Sequence, residues 1–326
     1  RVYSLQPDYN YIFSKEGIGN NEVILQLACN NTASWYSNYM TAEVLPADYP
    51  WAEKATGWGG YVMPWDFYGT FEEGDLRLKN VVTAYTNKNG EKIDRSNSSQ
   101  LAKGALPLKY GMDPDMKDGQ SGIDVVIYRY ADVLLTLAEC INRNEGSPTT
   151  EAIGLVNRVR KRAGLSELDD AQTASGEAFN EAILLERGHE FYLEGLRRQD
   201  LIRFGKYVEY ANNRIDAINK SEGRGYFNVH EGHNRFWIPQ SFIDESKGAI
   251  KQNDYDRSYS GATVSYSGYN DEDYADRSFI TRVPRLGNPD IILIFGGIND
   301  NWADTPIGEY KYGDFKRADL YTYRPA

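Results

Sequence analysis

At 326 residues, with a formal net charge of −11 and 41% hydrophobic side chains, the chain can bury a sizeable core in one large domain or two, which excludes disorder throughout. The acidic balance excludes a general nucleic-acid binder, because phosphate recognition rests on clustered Lys and Arg. No run of about 18 apolar residues occurs, so no bilayer-spanning helix is predicted. The 25 tyrosines, 6 tryptophans and 30 glycines favour exposed aromatic contacts on loop-rich surfaces over a compact helical bundle, with neutral sugars as plausible partners.

Asn21 to Leu27 reads as a short strand, and Leu76 to Tyr85 has the mixed alternation of another. Between them Pro, Gly and Asn break the chain into loops that carry Trp35, Tyr36, Tyr39, Tyr49, Trp51, Trp58, Tyr61, Trp65, Phe67 and Tyr68. Aromatic faces stack on the apolar C–H faces of pyranose rings while Asn, Asp and Glu read the hydroxyls. Trp35, Tyr36, Trp51, Trp58, Tyr61 and Trp65 are therefore the ligand-binding candidates. The alternative is that these rings pin a long loop to the fold. The glycines around Trp58 offer it nothing to pack against and favour its exposure.

From Val126 onward the periodicity is helical. Ile127, Tyr130, Ala131, Leu134, Leu137, Ala138 and Ile141 recur at three- and four-residue steps, predicting one apolar stripe that ends near Gly146. A second helix is capped by Thr149 or Thr150, faces inward through Ala152, Leu155, Val156 and Val159, and ends at Gly164. The short connection makes the pair antiparallel neighbours. A third helix is predicted over Gly176 to Leu193, with Phe179, Ile183 and Phe191 inward, and a fourth over Val208 to Ile218. Two helix pairs in tandem point to a tetratricopeptide-like stack. The charged phrase Glu186, Arg187, Glu190, Glu194, Arg197, Arg198, Asp200 and Arg203 reads as ion pairs along a helix and into the next turn, not as an active site.

Cys29 and Cys140 are far apart and read as two buried thiols, with a disulfide as the alternative. No metal site is predicted: His230 and His233 flank a polar loop, and no zinc spacing occurs. No cofactor is expected, although the acidic phrases Asp113, Asp115, Asp118 and Asp271, Glu272, Asp273 leave room for one structural calcium.

Several long phrases carry a resemblance. NNEVILQL leads to GWGGYVMPWDFYGTFEEGDLRLKN, with Phe71, Asp75 and Arg77 in an F-x-x-x-D-x-R arrangement. IYRYADVLLTLAECINR, AIGLVNRVRKRAGL, ERGHEFYLEGLRRQDLIRFGKY and RFWIPQSFIDESKGAIKQNDY follow in order. Over about residues 1–255 the chain resembles the SusD/RagB family. The resemblance implies a mainly α fold of tetratricopeptide-like helical hairpins with long irregular loops. It also implies a lipoprotein on the outer face of the outer membrane in Bacteroidetes, acting as a lid on a SusC-like TonB-dependent transporter. Members capture oligosaccharides, or peptides in some cases, without a covalent step. The family's lipidation cysteine and first helical repeats would lie upstream of Arg1.

Residues 256–326 resemble part of an SGNH/GDSL hydrolase, an α/β fold. Asp290 to Phe295 reads as a buried strand followed by Gly296, Gly297, Ile298, Asn299 and Asp300. The resemblance implies oxyanion donors at Gly261 and Asn299. No Gly-Asp-Ser phrase occurs, and none of His189, His230 and His233 has an Asp three residues earlier, so the nucleophile and base that acyl transfer needs are missing from the sequence. The segment is expected to be an incomplete domain, either because the chain is a fragment or composite or because it is a fusion with retained hydrolase remnants. The competing function is a carbohydrate esterase whose Ser and His lie outside this chain.

Overall fold

The computed structural model describes residues 2–51, 57–223, 225–236, 238, 240–247 and 249–250, together with the backbone of 291–292 and 322–323. The chain forms two compact units, residues 1–204 and 205–326. The expected module boundary near residue 255, the oxyanion candidates Gly261 and Asn299, and the acidic phrase at Asp271 lie outside the described residues.

In the first unit, β1 (Val23–Leu27) pairs antiparallel with β7 (Val125–Arg129), with Val23 opposite Arg129 and irregular register beyond it. Between them lie α1 (Met40–Val44), β2 (Met63–Pro64), α2 (Trp65–Tyr68), β3 (Val81–Val82), β4 (Tyr85–Thr86), β5 (Lys92–Ile93) and β6 (Gly104–Pro107). β6 is the middle strand of an antiparallel sheet ordered β2-β6-β3. A Cβ on Gly104 would sit 2.2 Å from the Met63 carbonyl oxygen, so only glycine lets these strands meet. The strand expected over Leu76 to Tyr85 is instead a 3-10 turn, Leu76–Asn80, followed by two short strands. The Asp75 carboxylate accepts from the Arg77 backbone N–H at 2.9 Å and starts that turn, overriding the alternation.

Helices dominate from there. α3 (Tyr130–Glu145), α4 (Thr150–Arg162) and α5 (Gly176–Glu190) share a core of Ala131, Leu134, Leu135, Ala138, Ala152, Val156, Val159, Phe179, Ile183 and Phe191. Thr149 caps α4 through its hydroxyl, as expected, and Gly164 adopts φ +81° just past the helix end. The α3 stripe differs from expectation. Ile127 belongs to β7, and Leu137 is 43% exposed whereas Leu135 is sealed. The strand that precedes the helix moves its start to Tyr130, and the buried face is set by Ala131, Leu134, Leu135 and Ala138.

The third helix ends at Glu190 rather than Leu193. Positive φ at Leu193 and Gly195 breaks the chain before α6 (Arg197–Arg203), which periodicity did not indicate. The second unit opens with α7 (Tyr207–Glu222), longer than expected at both ends and closed by Gly223 at φ +63°. The irregular segment after it is pinned by Asn212, which both accepts from and donates to the Val229 backbone. α8 (Gln240–Glu245) follows, and β8 (Ile291–Ile292) pairs antiparallel with β9 (Thr322–Tyr323).

The charged phrase is structural, as expected, but its geometry is not that of a helix surface. Glu190 is sealed from solvent and receives Arg129 and Arg162, while Arg77 donates to Asp75 and, at 2.6 Å, to Glu186. Arg129 also reaches Glu22 and Glu194, and Lys109 pairs with Glu194 beneath the rings of Tyr9, Phe13 and Tyr192. Arg187 spans from Asp132 on α3 to Asp200 on α6. These pairs link distant segments, so the partners were invisible to a search at helical spacing; of this phrase, Asp200 and Arg203 keep an i, i+3 pair.

The cysteines are free thiols, as expected, but they are not buried as expected: Cys29 is partly buried and Cys140 is exposed on α3.

Candidate functional site

The aromatic region is built on α1. Its carbonyls at Ala42, Glu43 and Leu45 accept backbone N–H bonds from Trp58, from Gly60 and Tyr61, and from Gly59. These bonds lay the Gly-Trp-Gly-Gly-Tyr segment along the helix. Gly57 turns at φ +49°, where a Cβ would lie 2.6 Å from the Pro46 carbonyl oxygen, so the segment can approach α1 only through glycine. Gln100 secures the other edge by donating to the Val44 carbonyl at 2.8 Å.

Trp58 is 46% exposed, and its indole stacks on Tyr39 at 5.4 Å between centroids and 16° between planes. The expected exposure is present, and Tyr39 supplies the backing that the neighbouring glycines could not. Tyr39 stands at the N-terminal end of α1, so Glu43, four residues on, shares its helix face. Glu43 is half-buried, and its carboxylate makes no hydrogen bond or ion pair among the described residues. Burial holds its pKa above the usual carboxylate value. The Tyr61 hydroxyl is pushed up by burial and then by Glu43, which places the two groups within electrostatic reach; Tyr61 itself is exposed. The bridge between Asn38 and Ser121 brings the Asp118 turn beside Tyr39, whose pKa burial and Asp118 both raise.

The other candidates divide. Trp35, 69% exposed, and Tyr36 stand on a 3-10 turn after the Asn30 loop, and Trp51 is also exposed. Trp65 is half-buried: its indole N–H donates to the Leu101 carbonyl at 2.7 Å, its ring meets Tyr68 edge-on, and the Arg95 guanidinium lies 5.0 Å from its centroid. Tyr49 packs on Tyr85, and Phe67, Tyr68 and Phe71 pack against the Tyr9–Phe13 cluster. The structure thus assembles Tyr39, Trp58 and Tyr61 on one helix edge and commits Trp65, Tyr49, Phe67 and Tyr68 to fold contacts. Glu43 belongs to the assembly although no motif marks it; its i, i+4 spacing from Tyr39 is the signal available in the sequence.

Of the calcium candidates, Asp113 and Asp115 have partners within the protein. Asp113 accepts from Gly122 N–H at 2.7 Å, Asp115 N–H at 2.9 Å and the Ser121 hydroxyl at 3.2 Å, and Lys15 pairs with it and with Asp115. No group of three or more metal-ligating side chains occurs among the described residues. No helix there is long and apolar enough to cross a membrane.

Residues 21–259 match the SusD family model, nearly three quarters of the chain. The chain belongs to the SusD family. Residues 203–326 match the GDSL-like Lipase/Acylhydrolase model. Among curated relatives, the starch-binding protein SusD of Bacteroides thetaiotaomicron is 32% identical over 149 residues, which is 46% of this chain and 23% of that protein. SusD-like protein P38 of Formosa agariphila is 36% identical over 107 residues, 31% of this chain and 20% of that one. This SusD-family chain therefore spans a quarter or less of the length of these two relatives. A surface glycan-binding protein A of Bacteroides thetaiotaomicron, solved with laminarihexaose, superposes with a TM-score of 0.56 at 26% identity, covering 78% of this chain and 56% of that one. A SusD superfamily protein from Bacteroides vulgatus does so with a TM-score of 0.55 at 28% identity, covering 74% and 53%. The expected SusD-like, mainly α fold is the one observed.

Proposed function

We propose that this chain is part of a cell-surface protein that binds oligosaccharide noncovalently and delivers it to a SusC-like TonB-dependent transporter. The observation that carries the reading is the stacked Tyr39–Trp58 pair, open on the Trp58 side and flanked by Tyr61 and the unpaired Glu43 carboxylate. An exposed indole supported from behind offers a flat apolar face to a sugar ring, and adjacent carboxylate and phenol oxygens complement its hydroxyls. Trp35 and Tyr36 supply a further exposed aromatic edge. The laminarihexaose bound by a structural neighbour supports this class of ligand. The transporter, a lipid anchor, a position on the outer face of the outer membrane and the tetratricopeptide-like character of the hairpins rest on the family resemblance. Isothermal titration of the chain with laminarihexaose, maltohexaose and xylohexaose tests the reading: binding that Trp58→Ala weakens supports it, and the absence of binding to all three removes it.

A second reading rests on the hydrolase-family match over residues 203–326. It assigns an esterase activity to that segment, with Gly261 and Asn299 as oxyanion donors and a Ser and His supplied from outside the chain. Turnover of p-nitrophenyl acetate by a protein that combines this segment with the Ser and His, abolished by Asn299→Ala, would favour it over binding alone.

A further inference from the structure

Glu43 is an uncommon side chain for its position. It is half-buried, has no cation or N–H donor on its carboxylate among the described residues, and keeps part of its surface open to solvent, so its oxygens are available to an incoming donor. The groups beside it are the Tyr61 phenol and, on its own helix face, Tyr39 stacked under Trp58. The charged group acting on Tyr39 is a second carboxylate, Asp118, and the one acting on Tyr61 is Glu43 itself. Two carboxylate residues thus stand at this edge: Glu43, whose backbone carbonyl accepts from Tyr61 N–H, and Asp118, on the turn that the Asn38–Ser121 bridge brings beside Tyr39; the chain as a whole carries −11.

We propose that Glu43 is the specificity-determining residue of this surface, accepting hydrogen bonds from hydroxyls of an uncharged oligosaccharide stacked on Trp58 and, with Asp118, excluding uronate-bearing and sulfated glycans. The inference rests on the platform reading above and adds to it a ligand charge class and the residue that enforces it. The physical basis is differential. A sugar hydroxyl can donate to the available carboxylate, whereas a sugar carboxylate has no proton to donate near neutral pH and brings like charge into a partly desolvated site.

The experiment is isothermal titration of the whole chain and of Glu43→Gln, Asp118→Asn and Trp58→Ala with laminarihexaose, maltohexaose, xylohexaose and hexagalacturonate, with thermal melting of each variant as a folding control. The expected result is that at least one neutral hexaose binds the unmodified chain about tenfold or more tightly than hexagalacturonate, since one charge-assisted hydrogen bond is about 1.5–3 kcal/mol and 1.4 kcal/mol is about tenfold. Glu43→Gln should weaken the neutral ligand about fivefold or more and narrow the gap to hexagalacturonate, with Asp118→Asn narrowing it less; Gln keeps the shape and can still bond but removes the charge. Equal or tighter binding of hexagalacturonate by the unmodified chain, or a Glu43→Gln variant that leaves both ligands unchanged, overturns the inference while Trp58-dependent binding leaves the platform standing. Loss of binding to every glycan, or indifference of all of them to Trp58→Ala, removes the platform and the inference together.

Discussion

Arg77 donates to Glu186 at 2.6 Å with both side chains shut away from water, 109 residues apart in the chain. That bond, with a second from Arg77 to Glu190 at 3.2 Å, ties the 3-10 turn after the aromatic loop to α5. Burying two charges carries a large desolvation cost, and removing one partner leaves the other exposed to that cost alone. Arg77→Met is expected to destabilise the first unit by about 3–5 kcal/mol, read as a lower urea midpoint. Glu72→Gln breaks the pair with Arg160, but Glu72 is 47% exposed, so that change should stay within about 1 kcal/mol.

His189 sets an acid limit on stability. Burial first, then Arg77, Arg197 and Arg160, push its pKa down to about 3, and its ring lies 4.0 Å from the Phe71 centroid. Thr70 donates its hydroxyl proton to the Phe67 carbonyl, so Nε2 of His189, 2.8 Å from the Thr70 hydroxyl oxygen, carries the proton of a neutral imidazole and donates to it. In the unfolded chain histidine titrates near 6.5, so the stabilisation is complete above that pH and drains away as the pH falls toward 3. Glu190 acts in the same direction at lower pH: burial raises its pKa, but Arg162, Arg129 and Arg77 together hold it well below the carboxylate range. A urea-midpoint series from neutral to acid pH should fall below about pH 6.5, and His189→Gln should flatten its upper part.

Leu135 and Leu137 separate the two faces of α3. Leu135→Ala empties a sealed site and should cost about 2–5 kcal/mol, whereas Leu137→Ala should change stability by less than about 0.5 kcal/mol. Neither should alter glycan affinity. Trp58→Ala should do the reverse, lowering affinity about tenfold with little change in melting temperature.

The thiols should differ in reactivity. Cys140 is exposed, while burial raises the pKa of Cys29 above its usual value. An aromatic disulfide reagent should titrate one thiol rapidly in the folded chain, and Cys140→Ser should abolish that fast phase.

The helices were legible because their packing is periodic: Ala152, Leu155, Val156 and Val159 face inward as their spacing requires. Boundaries were harder where one residue type serves two periods. Ile127 fits the helical stripe of α3 yet lies on β7, because strand alternation and helix periodicity overlap over so short a run. The exposure of Trp58 was legible from its glycines, whereas its partner Tyr39 was not, since a stack across 19 residues depends on how the loop returns to α1. For Glu43 the sequence offers only its i, i+4 spacing from Tyr39, because what distinguishes it is the absence of a protein partner for its carboxylate among the described residues.

The reach of the buried charges bears on biogenesis. Glu22 meets Arg162 across 140 positions, and Arg129 is completed only by Glu190 and Glu194. These charges stay hydrated in the unfolded chain, and their full set of buried partners is available only once residues up to 194 have been made. Until those residues are present, the contacts that close this network around Glu190 cannot form.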